Sequence, residues 1–323
     1  MYKRQVQSPV FSRVAFQRNG DSSWHYLYDA LGRLSNATKG TTDIDYDYDK
    51  ANNWDKRTEN GSQVDYSYNS ANELTGAVPG FDGFSHDDHG NLTYKDRAGG
   101  DQDDQRFSFD ALNRLVVFDP GAEGRGDTWR YYYDAFGRRI LKETEDSYQG
   151  RYYFYDGRQV VFEVRKGGTT EGREYINGNR GALAQIHAGN KIFWPLGASR
   201  RGVWDLADQD PNDPEKGARK RMTYDHNPYA ALIQEDPVYG LEPVEQDSVF
   251  PGAWIERETI VQNGDLSTGV IYTEEGPYDP ELGRFPQGDS LCIRGNEVAF
   301  GPWYACSSNA GAVSYTHLRA HET

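Results

Sequence analysis

Aromatic residues alternate with other side chains in short segments of the first half of the chain, and each segment ends in a turn signal. In "YYYDAFGRRI" (131–140), Tyr131 and Tyr133 are two positions apart, so their rings lie on one face of a strand. Asp134 is suited to bonding the backbone ahead of it, and Gly137 suits a left-handed turn residue. The pattern predicts a β-hairpin with a buried aromatic face.

The same segment returns seven times, at intervals of 18 to 24 residues. Aligned on the two residues before each turn, the copies stand at Tyr28-Asp29, Tyr48-Asp49, Tyr68-Asn69, His86-Asp87, Phe109-Asp110, Tyr133-Asp134 and Tyr155-Asp156. Self-similarity of this kind predicts a repeat architecture.

The repeat motif is complete in the first and sixth copies. Its residues there are Tyr28, Asp29, Gly32, Arg33, Tyr133, Asp134, Gly137 and Arg138. The arginines just after the turn are interpreted as solvated or cross-strand charges. The residues expected to open the return strands are Leu34, Leu74, Leu92, Leu115 and Ile140.

The irregular period decides between two all-β architectures. Two such hairpins would make a propeller blade of about 40 residues, but a closed propeller keeps its period tightly. A spiral sheet tolerates the drift. We therefore predict an all-β fold in which hairpins from residue 24 to about 165 form one curving wall of a hollow shell.

Composition supports a core built from rings and narrows the partners. Aromatic residues make up 14% of a chain that is only 36% hydrophobic, and disordered chains are poor in aromatics. The net charge of −15 disfavours nucleic acid and anionic membrane surfaces, and no apolar run reaches the ~18 residues of a membrane span. Cys292 and Cys306 leave open both a disulfide and two free thiols.

The sequences at the two ends of the chain do not follow the pattern of the rest. Residues 313–323, "VSYTHLRAHET", resemble a translated transposase adapter, and "YKRQ" at 2–5 can be encoded by the reverse complement of the same adapter. We expect 1–5 and 313–323 to be adapter-derived, and the natural protein to continue in both directions. Between them we expect a hairpin array over 6–165 and a second segment over 166–312, where the simple period fades.

The second segment carries a more specific pattern, "PYDPELGRF" at 277–285. Together with the Tyr-Asp repeats and "WPLGASRRGVWDLAD" at 194–208, it resembles the RHS/YD-repeat family, to which teneurins and Tc-toxin C subunits are related. The resemblance covers roughly residues 24–310. The matching core-motif residues are Tyr278, Asp279, Pro280, Gly283, Arg284 and Phe285.

The resemblance implies a shell, ending in a repeat-associated core segment, that encapsulates its own C-terminal toxin or effector. It implies a secretion or delivery machinery as a further partner and a secreted or bacterial cell-surface location. We expect no cofactor. The alternative is a surface adhesion or glycan-binding module, in which rings such as Tyr131 and Tyr133 stack on sugars. A metabolic enzyme has no motif to support it.

Family members release the cargo with an aspartyl autoprotease, and the resemblance places its first aspartate at Asp289. The sequence departs from the pattern there, because Ser290 replaces a proline. The second aspartate would lie past Ala310, where the adapter-like stretch begins. Because such hydrolysis needs two carboxylates that share a proton, we expect this chain not to cleave itself.

Four short stretches resemble binding motifs but are interpreted as structure. "HDDH" (86–89) coincides with the fourth repeat, and "RGD" (125–127) lies in a glycine-rich turn. "DQDD" (101–104) is expected to be a solvated loop. "DQDPND" from Asp208 lacks the glycine and the final glutamate of a calcium loop, with Asp213 and Arg219 in their places. We therefore predict no metal site.

Overall fold

The described part of the chain is built from antiparallel β-strands. The computed structural model describes residues 11–14, 24–76, 78–98, 104–121, 127–145, 149–166, 172–178, 181–196, 205–209, 218–226, 232–237, 248–250, 253–255, 270–273, 276–279 and 281–286. Across these ranges every regular element is a strand, which confirms the all-β prediction. None of these residues forms a helix with the length and apolar character that membrane crossing requires.

The first sheet has six strands that pair in chain order. They are β1 (Phe11–Val14), β2 (His25–Tyr28), β3 (Leu34–Lys39), β4 (Thr42–Tyr48), β5 (Trp54–Glu59) and β6 (Ser62–Asp65).

The second sheet has fourteen strands, also in chain order. They are β7 (Phe81–His86), β8 (Leu92–Arg97), β9 (Gln105–Phe109), β10 (Leu115–Asp119), β11 (Trp129–Tyr133), β12 (Arg139–Thr144), β13 (Gly150–Asp156), β14 (Gln159–Arg165), β15 (Gly172–Gly178), β16 (Gly181–His187), β17 (Lys191–Leu196), β18 (Asp205–Gln209), β19 (Ala218–His226) and β20 (Leu232–Pro237). The ladder passes residue 165 without a break, from β14 to β15.

A small third sheet lies nearer the C-terminus and has four strands. They are β21 (Ser248–Phe250), β22 (Ala253–Ile255), β23 (Ile271–Thr273) and β24 (Gly276–Tyr278).

Side chains alternate between two faces of the wall as the ring spacing predicts. On β4, Ile44 and Tyr46 are buried while Asp43, Asp45 and Asp47 are exposed. On the second sheet, one apolar cluster holds both members of each predicted ring pair, namely Tyr131 with Tyr133 and Phe107 with Phe109. We call the face that carries these rings the aromatic face.

In the first six copies the repeat turn is capped by the residue that follows the ring pair, which is aspartate in all but the third. Asp134 Oδ1 accepts the backbone N–H groups of Phe136 at 2.9 Å and Arg138 at 3.0 Å, and its Oδ2 accepts Arg138 Nε at 2.7 Å. Asn69 provides the same cap with its amide oxygen in the third copy. The residue three positions after the cap has positive φ in six copies: Gly32, Asn52, Asn72, Gly90, Asn113 and Gly137.

The motif also joins each repeat to its neighbour. The Tyr133 hydroxyl donates to the Leu115 carbonyl oxygen at 2.7 Å, and the Tyr48 hydroxyl donates to that of Leu34 at 2.8 Å. Arg33 Nη1 donates to the side-chain oxygen of Asn52, one turn further along, at 2.9 Å. The tyrosine therefore packs its ring on the wall and fixes the register of the preceding hairpin.

The wall is interrupted in the third repeat, so the expectation of one continuous sheet is wrong at that point. Only an isolated bridge pairs Tyr68 with Leu74, and no ladder joins β6 to β7 among the described residues. The chain turns at Pro79-Gly80, where Gly80 has φ of 92° and the Phe81 N–H donates to Val78 at 2.8 Å. Proline has no N–H to donate, so Pro79 itself adds no hydrogen bond to a ladder.

The sixth copy corrects the assignment of its return strand. Arg139, not Ile140, pairs with Tyr133, in the place that Leu34 has opposite Tyr28. Arg139 is 3% exposed and Ile140 is 39% exposed. The second arginine of "GRR" is therefore a buried cation rather than a solvated one.

Three of the motif-like stretches have structural roles. Asp87 of "HDDH" caps its repeat turn by accepting the backbone N–H groups of His89 and Asn91, each at 2.9 Å. Asp208 binds Arg219 across the β18–β19 hairpin at 2.7 Å. Of "DQDD" the structure describes Asp104 alone, and that residue is not solvated as expected, because it is buried and accepts the Arg97 N–H and the Tyr94 hydroxyl.

The aromatic faces of the two sheets meet in one core. This cluster joins side chains from β2 to β5 to side chains from β17 to β19: Tyr28, Leu34, Ile44, Tyr46 and Trp54 with Phe193, Leu206, Met222 and Tyr224. Because β17 is ten strands beyond β7 in the second sheet, such contact requires the wall to curl back with its aromatic face inward.

The turn carboxylates are expected to make stability acid-sensitive. Burial opposes ionisation of Asp87, Asp110 and Asp134, but hydrogen bonds from four residues ahead outweigh it and lower the pKa of each. A carboxyl with a lowered folded-state pKa stabilises the fold above its unfolded value of about 4 and loses that effect as the pH falls through the folded value.

An Asp87→Asn/Asp110→Asn/Asp134→Asn variant tests this assignment, because asparagine keeps the capping oxygen, as Asn69 does, without the charge. We expect urea unfolding to show a less stable variant at neutral pH and a stability difference that closes as the pH falls below the unfolded value of about 4. A difference that stays constant with pH would contradict a role for the charges.

Candidate functional site

The described residues of "PYDPELGRF" lie on the aromatic face of the wall, across the interruption between the two sheets. We call the described residues 270–273, 276–279 and 281–286 the C-terminal segment. Tyr278 and Phe285 form an edge-to-face ring pair, 5.3 Å between centroids, in the core that joins the sheets. Leu282 packs in a second cluster with Leu74 and Phe81. The segment therefore touches both sides of the interruption.

A buried ion pair fixes the segment to the second sheet. Lys95 Nζ on β8 lies 2.7 Å from Asp279 Oδ2, and both side chains are 0% exposed. Lys95 also lies over the Phe81 ring, at 5.0 Å. The other oxygen of Asp279 accepts the backbone N–H groups of Glu281 and Leu282, so the same carboxylate caps a turn.

Glu281 extends this pair into a network of four charges. Its carboxylate is 3.2 Å from Lys95 Nζ and 2.7 Å from Arg97 Nη2. Burial opposes its ionisation, but Lys95 and Arg97 outweigh burial and lower the pKa of Glu281. Asp279 and Glu281 each lie against a cation, whereas the two carboxyls of an aspartyl protease lie against each other. This geometry suits fixation of a segment rather than acid–base hydrolysis.

Gly283 allows the segment to pack directly on Trp54 of β5. Its φ is 65°, and a Cβ at this position would lie 2.4 Å from two atoms of the Trp54 ring. Both the backbone conformation and the contact require a residue without a side chain.

Arg284 binds the interrupted third repeat. Its Nη2 donates to the Asn72 carbonyl oxygen at 3.1 Å, and its guanidinium lies over the Tyr68 ring at 5.4 Å. Burial lowers the pKa of Arg284. On the other side of the interruption, the Leu92 N–H donates to the Pro286 carbonyl oxygen at 2.6 Å. The segment thus supplies contacts where the ladder between the sheets is missing.

Arg139 provides a further attachment on the second sheet. Its guanidinium lies 4.0 Å from the ring centroid of Tyr272, and 5.4 and 5.0 Å from those of Tyr131 and Tyr153. Arg139, which occupies the position of a leucine in other repeats, therefore contacts both the wall and the C-terminal segment.

The structure brings five residues of the predicted core motif together: Tyr278, Asp279, Gly283, Arg284 and Phe285. Pro280, Asp289, Cys292 and Cys306 lie outside the described residues. Of the repeat-motif residues, Tyr28 shares the core cluster with Tyr278, whereas Asp29, Gly32 and Arg33 lie at a turn and Tyr133, Asp134, Gly137 and Arg138 lie at the sixth turn.

The rings predicted to stack on sugars pack inside the protein instead. The sequence also did not predict several residues that contact the C-terminal segment. Tyr131 is 3% exposed and packs with Tyr133 against neighbouring hairpins. Nothing in the sequence indicates the role of Lys95, Arg97 or Trp54. For Arg139 there was a usable signal, because it occupies the position at which other repeats have leucine. In the chain that the structure describes, no group of three or more His, Cys, Asp or Glu residues is placed to hold a metal ion.

Removing the Lys95 side chain should leave the buried carboxylate of Asp279 without its cation. We expect Lys95→Met to lower the free energy of unfolding by about 3–5 kcal/mol, because Asp279 loses its partner in a dry environment. In Lys95→Met/Asp279→Asn the charge is removed while an oxygen remains to cap the turn, so the loss should be smaller than the sum of the single losses. Urea unfolding measures both.

Arg130→Met is the matched control, because its ion pair with Glu145 is exposed, at 43% and 60%. It should cost at most about 1 kcal/mol. Equal losses for Lys95→Met and Arg130→Met would contradict a central role for the buried pair.

Gly283→Ala and Gly137→Ala separate backbone strain from steric contact. Gly137 has φ of 79° with nothing within 4 Å of an added Cβ, so alanine there should cost about 1–2 kcal/mol from the left-handed backbone alone. Gly283→Ala adds the clash with Trp54 and should cost more and shift tryptophan fluorescence. A Gly283→Ala protein with the stability of Gly137→Ala would show that the segment does not pack on Trp54.

Comparisons with known proteins agree with the strand pattern. The Teneurin YD-shell family matches residues 10–195. The chain is 26% identical over 201 residues to the probable deoxyribonuclease RhsB of Dickeya dadantii (strain 3937), covering 61% of this chain and 12% of that protein. It is 26% identical over 227 residues to the double-stranded DNA deaminase toxin A of Burkholderia cenocepacia (strain H111), covering 66% of this chain and 15% of that protein.

Among solved structures, the Photorhabdus luminescens Tc holotoxin pore is similar at a TM-score of 0.45 and 14% identity, over 94% of this chain and 20% of that one. The chain spans only 12% to 15% of the length of these two curated relatives. The YD-shell match alone covers more than half of the chain and coincides with the hairpin wall. The chain therefore belongs to the Teneurin YD-shell family and is an RHS/YD-repeat protein with an all-β shell fold.

Proposed function

We propose that this chain is part of the wall of a shell that encloses a toxin or effector lying C-terminal to it in the same polypeptide. The observation that carries the proposal is the position of the C-terminal segment. It is fixed to the inward aromatic face by Lys95–Asp279, so the backbone leaves Pro286 from the side towards which the wall curls. A polypeptide that continues from there starts on the enclosed side.

The wall itself acts as a barrier rather than as a catalyst on a separate substrate. The relatives are named for a deoxyribonuclease and a DNA deaminase toxin, and this chain matches 12% to 15% of their length. We assign activities of that kind to cargo outside the matched wall. The arrangement suits a secreted or surface-displayed protein that needs a delivery machinery to release the cargo. In the intact protein, Asp289 would supply one of the two aspartates of self-cleavage.

Protease protection tests the enclosure. In the intact natural protein, a C-terminal tail behind the wall should resist a protease under native conditions, because the backbone hydrogen bonds of the wall exclude the protease. The Lys95→Met variant should release the segment and expose the tail, with cleavage faster by at least about tenfold, as a destabilisation beyond 1.4 kcal/mol implies. Gel analysis of the cleavage time course measures the effect.

Arg130→Met again serves as the control and should leave the tail protected. Cleavage of the wild-type tail at the rate of the isolated tail would overturn the proposal. Binding of labelled glycans to the intact protein, together with an unprotected tail, would favour the adhesion alternative.

A further inference from the structure

Lys95 and Asp279 hold an amine and a carboxyl group in contact at a site closed to bulk water. Nζ lies 2.7 Å from Oδ2, both side chains are 0% exposed, and the Phe81 ring lies 5.0 Å from the amine. Leu92 and Leu282 pack with Phe81 in the same apolar cluster. Two groups that can condense to an amide are therefore fixed against each other, which removes the entropic cost of bringing them together.

The two oxygens of the Asp279 carboxylate have different surroundings. Oδ1 accepts the backbone N–H groups of Glu281 at 3.0 Å and Leu282 at 3.2 Å, whereas Oδ2 faces Lys95 Nζ. Backbone N–H groups directed at one oxygen stabilise the negative charge that this oxygen gains when a nucleophile adds to the carboxyl carbon. Oδ1 is therefore placed to take up charge, and Oδ2 is placed to leave.

Glu281 provides a proton acceptor beside the amine. Its carboxylate lies 3.2 Å from Lys95 Nζ and 2.7 Å from Arg97 Nη2. Burial opposes ionisation of Glu281, but the two cations outweigh burial and lower its pKa, so its carboxylate is able to accept a proton. A lysine nucleophile and a general base therefore lie close together at the carboxyl group of Asp279.

Burial also gives condensation a driving force. An ammonium and a carboxylate lose their hydration when they are buried, and this loss costs free energy for each ion. An amide carries no charge, and the water that its formation releases can leave for the solvent. Condensation is unfavourable between hydrated ions, but at this site it removes two buried charges.

We propose that Lys95 and Asp279 form an intramolecular amide bond, with Glu281 as the residue that transfers a proton. The proton of the Nζ–H···Oδ2 hydrogen bond first passes to Oδ2, which leaves a neutral amine and a carboxylic acid. The Nζ lone pair then forms a bond to Cγ, and Oδ1 takes up the negative charge. Glu281 moves a second proton from Nζ to Oδ2, the Cγ–Oδ2 bond breaks, and Oδ2 departs as water. The third proton stays on the amide nitrogen, so the reaction consumes no oxidant, reductant or co-reactant.

The bond joins β8 to the C-terminal segment across 184 residues of the chain. It replaces a contact that can dissociate by one that cannot, at the point where the segment bridges the two sheets. The inference goes beyond the proposed function, because it does not depend on what the wall encloses. A linked chain with an unprotected C-terminal tail would retain the bond and reject the enclosure.

The mass of the full chain under denaturing conditions tests the proposal. We expect a mass below that of the sequence by one water molecule. Trypsin should release one branched peptide, in which residues 58–97, uncut after Lys95, are joined to residues 258–284. A chain held unfolded in urea should keep the sequence mass and lose the water only after refolding, because the fold aligns the reacting groups. A refolded chain at the sequence mass, or loss of water within a single unbranched peptide, would overturn the proposal.

Two variants separate bond formation from the ion pair. Lys95→Arg keeps a cation beside Asp279 but has no amine, so it should keep the sequence mass. Glu281→Gln keeps the amine and the carboxyl group but loses the proton acceptor, so linkage after refolding should be slower by about a hundredfold. Tryptophan fluorescence shows whether the segment still packs on Trp54. Linkage of a folded Glu281→Gln chain at the wild-type rate would contradict the role of Glu281, and the branched wild-type peptide decides the bond itself even where a variant does not fold.

Other lysine–carboxylate pairs of the same chain are matched controls. Lys220 lies 3.8 Å from Asp205, and Lys166 contacts Glu143. The lysine side chains are 48% and 25% exposed, so hydration of the charges opposes condensation there. Their tryptic peptides should be unbranched. Linkage at either pair would show that proximity alone is sufficient and would contradict the requirement for a buried site.

Discussion

The ion pair between Lys95 and Asp279 is the contact on which the arrangement of the wall depends. Both side chains are fully buried and lie in elements 184 residues apart in the chain. Removing two charges from water costs several kcal/mol for each ion, and only good geometry with further hydrogen bonds offsets it. Asp279 has these bonds from its turn, and Lys95 has Glu281 as a second partner. Because each charge is tolerable only with the other in place, the pair fixes where the segment lies.

That fixed position compensates for a weakness in the repeat array. Hairpins that pair in sequence need only local contacts, but in the part of the chain that the structure describes no ladder joins β6 to β7. A two-part wall would hinge there. The C-terminal segment binds Asn72 on one side of the gap and Leu92 on the other, so a long-range contact replaces the missing local one. The packing of the two sheets on each other is therefore coupled to the position of the segment.

The sequence predicts the local features of this structure well and the long-range ones poorly. Ring alternation, the aspartate cap and the positive-φ turn residue involve positions within about four residues, so their physics is visible in the repeat itself. The partners Lys95 and Trp54 depend on which strands the curled wall brings under the segment, and no local rule encodes that. Arg139 lies between these cases. The repeat shows that Arg139 occupies the position of a leucine, but it does not show the half-buried ring of Tyr272 that makes an arginine favourable there.

The core motif is a repeat turn with one residue added, and that residue explains its different role. In the sixth repeat, Asp134 Oδ2 accepts the arginine four positions ahead, and the turn closes on itself at the surface. In the C-terminal segment the residue four positions after Asp279 is Gly283, and the arginine follows at five. Gly283 has no side chain to offer the carboxylate, so Asp279 Oδ2 binds Lys95 instead, and Arg284 is directed to Asn72 and Tyr68. The same cap that ends a hairpin at the wall's edge becomes, with one insertion, a connector between separate parts of the wall.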